Sequence, residues 1–533
     1  MRAGDGGDVM LLMGAAMGAN ESARGLRQLV WLGVGLAAAA WAGCESEPVT
    51  STPVEGNTDT GTLDAGGSAS TGADSAGSGG EGGAGGEVGD APPAPELEGL
   101  LVAGVEINLK PAFDPKTTRY SVLASDPAGD LVVAAAAASG LQIEIDGQLA
   151  VSGVPLALPD VRPGSDFVVD VTNDAGDHTQ YRVVYLPADF PNYQVGALED
   201  GASEDPLYLS ARSRDSYYVV KLNNDGVPLF YRKTAEPAFD FKKQPTGHVS
   251  YAEFKSDTTL AEHVVLDDTY TEVDRVTTVG LVDTDEHEFV MQPNGNYIVL
   301  AYERVVRDLT EFGRGSSETI LDGIWQELSP DHEVLFQWNA WDHMVFGETV
   351  YGSKDKRDYS HMNSLFVDED GNWIVSSRGM AQILKIERAT GDVLWKLGGA
   401  QNDFTFVNDP YDGLCGQHTA SILDNGHLLI FDNGQYCYPP MPEREELTRV
   451  VEYALDEDAM TAELVWSYSR QGTYCESQGS AQRLANGNTL IGWGLGTDLI
   501  ASEVTPDKDT VFELRAANRS GKTTSYRALR FAE

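Results

Sequence analysis

From about residue 97 to the C-terminus, short apolar runs alternate with clusters of Gly, Asn, Asp and Pro, the pattern of strands separated by turns. In residues 97–187 such runs fall at 100–103, 118–123, 131–138, 141–145, 166–172 and 180–186, a spacing that predicts a β-sandwich. Beyond residue 190 the pattern repeats. A turn signature recurs at Pro245-Thr-Gly-His248, Pro293-Asn-Gly-Asn296, Glu369-Asp-Gly-Asn372, Asp424-Asn-Gly-His427 and Ala485-Asn-Gly-Asn488, each followed by an apolar strand. Asn-Gly and Asp-Gly between apolar runs mark tight hairpins, because such turns need residues tolerant of positive φ. A second, outer hairpin follows each, at 262–278, 324–338, 383–397, 449–468 and 501–514. A further outer hairpin at 219–231 takes the run near 207–210 as its inner partner. Six four-stranded units result, which predicts a six-bladed β-propeller over 190–533 preceded by the N-terminal β-sandwich, an all-β fold.

The N-terminal residues follow a different pattern. Arg24 and Arg27 precede an apolar run at 29–43, the length of a signal-peptide core and short for a spanning helix. It ends in Trp41-Ala-Gly-Cys44, which resembles a bacterial lipobox, so residues 1–43 are expected to be removed and Cys44 lipidated. Residues 44–96 then read as the anchor cysteine and a flexible Gly/Ser/Asp-rich linker, too poor in apolar side chains to offset its ordering entropy. The expected location is the cell envelope: an exported, membrane-anchored lipoprotein facing the periplasm or the cell surface.

Charge narrows the partners. The chain has 533 residues, 82 acidic and 37 basic, for a net charge of −45. Nucleic acid is excluded as a partner, because phosphate contacts need clustered Lys and Arg. Four cysteines are too few for a disulfide scaffold. One pair is nevertheless expected. The hairpin turning about Asn425-Gly426 places Cys415 and Cys437 near-opposite across its base, and export would put them in an oxidising compartment. Cys437–Cys475 is the alternative pairing.

Candidate chemistry gathers on three histidines. His287, His361 and His418 lie seven, nine and seven residues before the turn residues Asn294, Asp370 and Asn425. All three offsets are odd, so strand alternation puts the rings on one face at the same end of three consecutive inner strands. Three neutral imidazoles at one mouth would also suit zinc. Asp-rich turns such as Asp368-Glu-Asp-Gly371 hold no complete calcium loop, and no metal is assigned.

Sequence resemblances sharpen both regions. Pro111-Ala-Phe-Asp-Pro115, Tyr120 and Tyr181-Arg-Val-Val resemble the cadherin-like β-sandwiches of bacterial surface proteins. Asp358-Tyr-Ser-His-Met-Asn-Ser364, Val375-Ser-Ser-Arg378, Trp395-Lys-Leu-Gly-Gly399, Gly416-Gln-His-Thr-Ala420, Phe431-Asp-Asn-Gly434, Gly479-Ser-Ala-Gln-Arg-Leu-Ala-Asn-Gly-Asn488 and Tyr526-Arg527 together resemble the bacterial arylsulfotransferase family over about 190–533. That resemblance implies a six-bladed propeller and sulfuryl transfer from a small aromatic sulfate donor to a phenolic acceptor. It implies a sulfated histidine, no nucleotide donor and no cofactor. His361 and His418 match family histidines that hold the sulfuryl oxygens, and His287 resembles a further one. Two positions depart from the pattern. No histidine occurs in Gly494-Leu-Gly-Thr-Asp-Leu499, where the family nucleophile is expected, and Gln435-Tyr436-Cys437 stand where an arginine is expected. Arg444 and Arg449 follow at a distance. His418 is then the first choice for the nucleophile, with His361, His287 and Arg378 holding the sulfuryl oxygens and moving the proton. Asn363 and Asn433 are expected to orient these groups, and Trp341 and Tyr359 to stack the acceptor ring. Arg527 is expected to tie the last blade. The competing expectations are a ligand-binding propeller without catalysis and a His-ligated metal site.

Overall fold

The computed structural model describes residues 94–213, 216–255, 260–351, 357–442, 444, 446–517 and 524–533. The expected leader, Cys44 and nearly all of the linker lie outside these residues. Among the described residues, no helix is long and apolar enough to cross a membrane. The described chain is all β, apart from single 3₁₀ turns.

Two sheets come first. One holds Leu97–Ala103, Leu131–Ala137 and Leu156–Leu158. The other runs in the order Val105–Lys110, Arg119–Ala124, His178–Leu186, Asp166–Thr172, Gln142–Ile145, Gln148–Ala150. Along Leu131–Ala137 every second side chain is buried, and these join Ile143, Val169 and Tyr181 in one core. Val105–Lys110, Gln148–Ala150 and Leu156–Leu158 are additions to the expected strands; they are short or half-exposed and carry little apolar signal.

Six larger sheets follow, besides a two-stranded one of Leu414–Cys415 and Cys437–Tyr438. The second consists of Ala238–Lys243, Val249–Phe254, Ala261–Leu266 and Glu272–Val276, each antiparallel to the next. The third holds Thr284–Met291, Tyr297–Arg307, Glu318–Leu328 and Val334–Asn339, and the fourth Met362–Val367, Trp373–Ser377, Gln382–Ile386 and Val393–Gly398. The fifth orders His418–Ile422, Leu428–Asp432, Arg449–Asp456 and Thr461–Tyr468, with Thr405–Val407 added in parallel at its edge. The sixth orders Ser480–Arg483, Thr489–Gly492, Leu499–Val504 and Thr510–Ala516, and Tyr193–Leu198 pairs with its last strand. The first sheet joins both ends of the region: Thr524–Arg530 is its innermost strand, followed by Leu207–Ser213, Ser216–Leu222 and Pro228–Thr234. The innermost strands touch in succession from the first sheet to the sixth, and the sixth touches the first again.

Arg527 therefore closes the first sheet rather than tying the last. Its guanidinium bridges Asp240 at 2.7 Å and Glu288 at 2.9 Å, and Lys242 also reaches both carboxylates. Two buried acids and two buried bases from the innermost strands of three successive sheets thus neutralise one another, which is how such charges tolerate burial.

Candidate active site

His287 lies in the innermost strand of the third sheet, His361 directly before that of the fourth, and His418 at the start of that of the fifth. The His287 and His361 rings meet edge to face with centroids 5.2 Å apart. The charges of His361 and His287 both act on His418, so the three share one electrostatic neighbourhood.

Their partners differ. His287 Nδ1 lies 2.7 Å from Asp285 Oδ1, and the same oxygen accepts the His287 backbone N–H. Burial pushes the His287 pKa down, but the Asp285 and Glu286 carboxylates outweigh it and hold the pKa up at about 9. His361 Nδ1 is bonded to Asp358 Oδ2, and its Nε2 makes no hydrogen bond among the described residues. The His361 backbone takes a positive φ of 38°, uncommon outside glycine though better tolerated by histidine than by most residues. His418 is 2% exposed. Its Nδ1 lies 2.7 Å from Asn433 Oδ1, and its Nε2 accepts the Gln478 backbone N–H at 3.1 Å. Because an amide oxygen can only accept, Nδ1 carries the proton and the lone pair is on Nε2. Burial first, then Arg378 and the two other histidines, lower the His418 pKa well below its ordinary value, so this imidazole is neutral.

Asn433 is itself fixed: its Nδ2 donates to the Cys475 and Gln478 carbonyls, and its own carbonyl accepts from Thr448. Asn363 is buried and donates to the Gln417 carbonyl, tying the fourth sheet to the residue before His418. Cys415 and Cys437 pair directly across two short strands and form the expected disulfide; Cys475 is free and buried. The bridge closes an arm that carries Asn433 and Gln435 alongside His418. Gly416 permits this close crossing, since a Cβ there would stand 2.4 Å from the Gln435 carbonyl oxygen.

Arg378 is 8% exposed. It donates to Tyr351 Oη at 2.8 Å, Gln435 Oε1 at 2.7 Å and the Glu476 carbonyl at 3.1 Å, while its Nε has no partner. No carboxylate pairs with it among the described residues. Arg444 and Arg449, by contrast, are spent on Asp432 and Asp409 below the arm. Trp341 and Tyr359 are not beside Arg378. Tyr359 is fully buried, packed against Trp341 and Phe346, and the Trp341 ring lies under the Arg307 guanidinium. The rings that border the histidines and Arg378 are Tyr302, Tyr351, Tyr436 and Tyr526.

The three histidines do not form a ligand cluster among the described residues. The candidate ligand cluster among the described residues is Asp285, Glu286 and His287. Of the remaining histidines, His263 is stacked on Phe289 at 4.7 Å, where burial pushes it down to about 4, and His343 is stacked on Trp338 at 4.8 Å. Asp285 and Asp358 were absent from the sequence-based site. Their signal is a carboxylate two or three residues before a histidine, in Asp285-Glu-His287 and Asp358-Tyr-Ser-His361.

Comparison with known proteins agrees with the motifs. The family model for arylsulfotransferase (ASST) matches residues 248–517, and the chain belongs to this family. Arylsulfate sulfotransferase AssT of Escherichia coli O6:H1 is 28% identical over 179 residues, covering 28% of this chain and 29% of that protein. The AssT of Lelliottia amnigena is 27% identical over 155 residues, 24% of this chain and 26% of its own length. The match thus spans less than a third of either relative. Among solved structures, a protein of unknown function from Bacteroides caccae is 12% identical with a TM-score of 0.41, covering 62% of this chain and all of its own. A virginiamycin B lyase from Staphylococcus aureus is 9% identical with a TM-score of 0.35, covering 62% of this chain and 91% of its own. Likeness at that level carries no argument about function.

Proposed function

We propose that this protein transfers a sulfuryl group from an aryl sulfate to a phenol through a histidine intermediate. The observation that carries the reading is Arg378, a nearly buried guanidinium held only by neutral partners, in the charge neighbourhood of His287, His361 and His418. An uncompensated buried cation favours an anionic ligand. In the first half-reaction the His418 Nε2 lone pair attacks sulfur, the N–S bond forms and the ester S–O bond breaks. Its electron pair goes to the phenolic oxygen, which takes a proton from His287. In the second half the acceptor oxygen attacks sulfur, the N–S electron pair returns to Nε2, and the acceptor's proton goes to His287. Arg378 holds the sulfuryl oxygens while their charge redistributes. Losing the Gln478 N–H bond to free Nε2 costs about 1 kcal/mol, small beside the barrier removed.

A second reading has one specific support: His361 Nε2 is already unoccupied, with Nδ1 fixed by Asp358. Its imidazole would then attack in place of His418. Purified protein given p-nitrophenyl sulfate should release nitrophenol faster when phenol is added. No phenol dependence would exclude transfer and leave a ligand-binding role.

The fold supports the same assignment. Six sheets with successively touching innermost strands suit a six-bladed propeller over 190–533, and the two earlier sheets suit a β-sandwich over 97–187. The Cys415–Cys437 disulfide supports an exported protein, and the apolar run ending at Cys44 supports a lipid anchor. Cys44→Ser should move the protein out of the membrane fraction; unchanged fractionation would remove the anchor.

A further inference from the structure

One side of the Arg378 and histidine cluster is not used by the transfer chemistry. Tyr436 sits on the disulfide-closed arm with a left-handed backbone, φ 57°, and is 37% exposed. Its ring meets Tyr351 edge to face at 5.0 Å, and the Arg378 guanidinium lies 5.1 Å from its centroid. Tyr351 in turn lies 5.9 Å from His361. These contacts place an accessible aromatic face directly beside the cation assigned to the sulfuryl group. Tyr474 adjoins them: its hydroxyl is pushed up to about 12 by burial and by the nearby Glu476 and Glu446 charges, and it also feels Arg378 and Tyr436. Glu446 and Glu476 are exposed, and neither carboxylate pairs with a cation among the described residues. This side of the site therefore has a positive end at Arg378, an aromatic wall and a negative edge.

We propose that Tyr436, with Tyr351 and Tyr474, forms the aryl subsite of this centre, and that Glu446 and Glu476 bias it toward acceptor phenols bearing a cationic amine over those bearing a carboxylate. The inference rests on the sulfuryl-transfer reading above. Offset aromatic contact holds the acceptor ring, and the ring's own charged substituent meets the negative edge. Exposed carboxylates act weakly one at a time, so the two together are expected to give about a tenfold preference, reduced by added salt.

The test is a competition between tyramine and p-hydroxyphenylacetate, with p-nitrophenyl sulfate as donor and phenol as the uncharged reference. The expected result is a kcat/KM about tenfold higher for tyramine. The Glu446→Gln, Glu476→Gln double variant should bring that ratio close to one. Tyr436→Ala should raise KM for phenol by roughly three- to tenfold with a smaller change in kcat. Equal or reversed acceptor preference in the unaltered protein, or an unchanged KM in Tyr436→Ala, overturns the inference while leaving transfer itself intact. If no phenol is sulfated, the transfer reading falls and calorimetric titration decides the subsite. Tighter tyramine binding that the double variant abolishes upholds it, and equal binding of the two ligands overturns it.

Discussion

His287 and His418 stand at corresponding places on inner strands of the third and fifth sheets, yet they are held in opposite charge states. At His287 the partner of Nδ1 is the Asp285 carboxylate, and the ring keeps its proton to about pH 9. At His418 the partner of Nδ1 is the Asn433 amide, burial dominates, and the ring is neutral. The carboxylates beside His287, and burial next to Arg378 at His418, thus separate an acid from a nucleophile, the usual way one site runs both halves of a proton-coupled reaction. The supports differ too. The His418 side is braced by the Cys415–Cys437 bridge and the buried Asp432–Arg444–Arg449–Asp409 cluster, whereas the His287 ring is bonded within its own strand and packed against the His361, Tyr302 and Tyr526 rings.

Breaking the neutral side should have the largest effect. His418→Ala is expected to lose about 100-fold or more of transfer rate with little change in melting temperature, since a nucleophile has no ready substitute. Full rate in that variant would move the nucleophile to His361. Removing the brace comes next: Cys415→Ser with Cys437→Ser should lower unfolding free energy by about 3 kcal/mol, read by denaturant titration. An unchanged midpoint would mean that the buried arginine cluster alone fixes the arm. The carboxylate side should respond least in rate but most in pH. Transfer should fall as pH rises through about 9, where His287 loses its proton. In Asp285→Asn that limb should shift toward the ordinary 6.5, with about a tenfold lower rate at neutral pH. The stability sign is the same: a raised folded-state pKa stabilises below the unfolded value, and the gain is lost as pH rises through about 9. A pH profile identical in Asp285→Asn and the parent protein would separate His287 from proton transfer.

Much of this arrangement is legible in the chain, for identifiable reasons. Asn-Gly and Asp-Gly turns announce the inner hairpins because those turns select residues that tolerate positive φ, and Gly295, Gly371, Gly426 and Gly487 all adopt it. The three histidines do share one neighbourhood, but not by simple alternation: a register shift interrupts each inner strand between histidine and turn or at the histidine itself, and His361 precedes its strand with a left-handed backbone. The first sheet is legible only in its outer three strands, because its innermost strand, Thr524–Arg530, comes from the far end of the region. Tyr436 and Arg378 meet only through the disulfide-closed arm and a left-handed backbone, so their spacing in the sequence carries no signal. The expectation for Trp341 and Tyr359 reads aromatic content as a stacking site, whereas Tyr359 is core.

The central claim, that a neutral histidine carries the sulfuryl group, has a direct test. Protein mixed with p-nitrophenyl sulfate in the absence of acceptor, quenched in base and mapped by peptide mass spectrometry should carry a sulfuryl adduct on His418 that disappears when phenol is added before the quench. Nitrophenol release that depends on phenol, with no adduct on any histidine, would contradict the account.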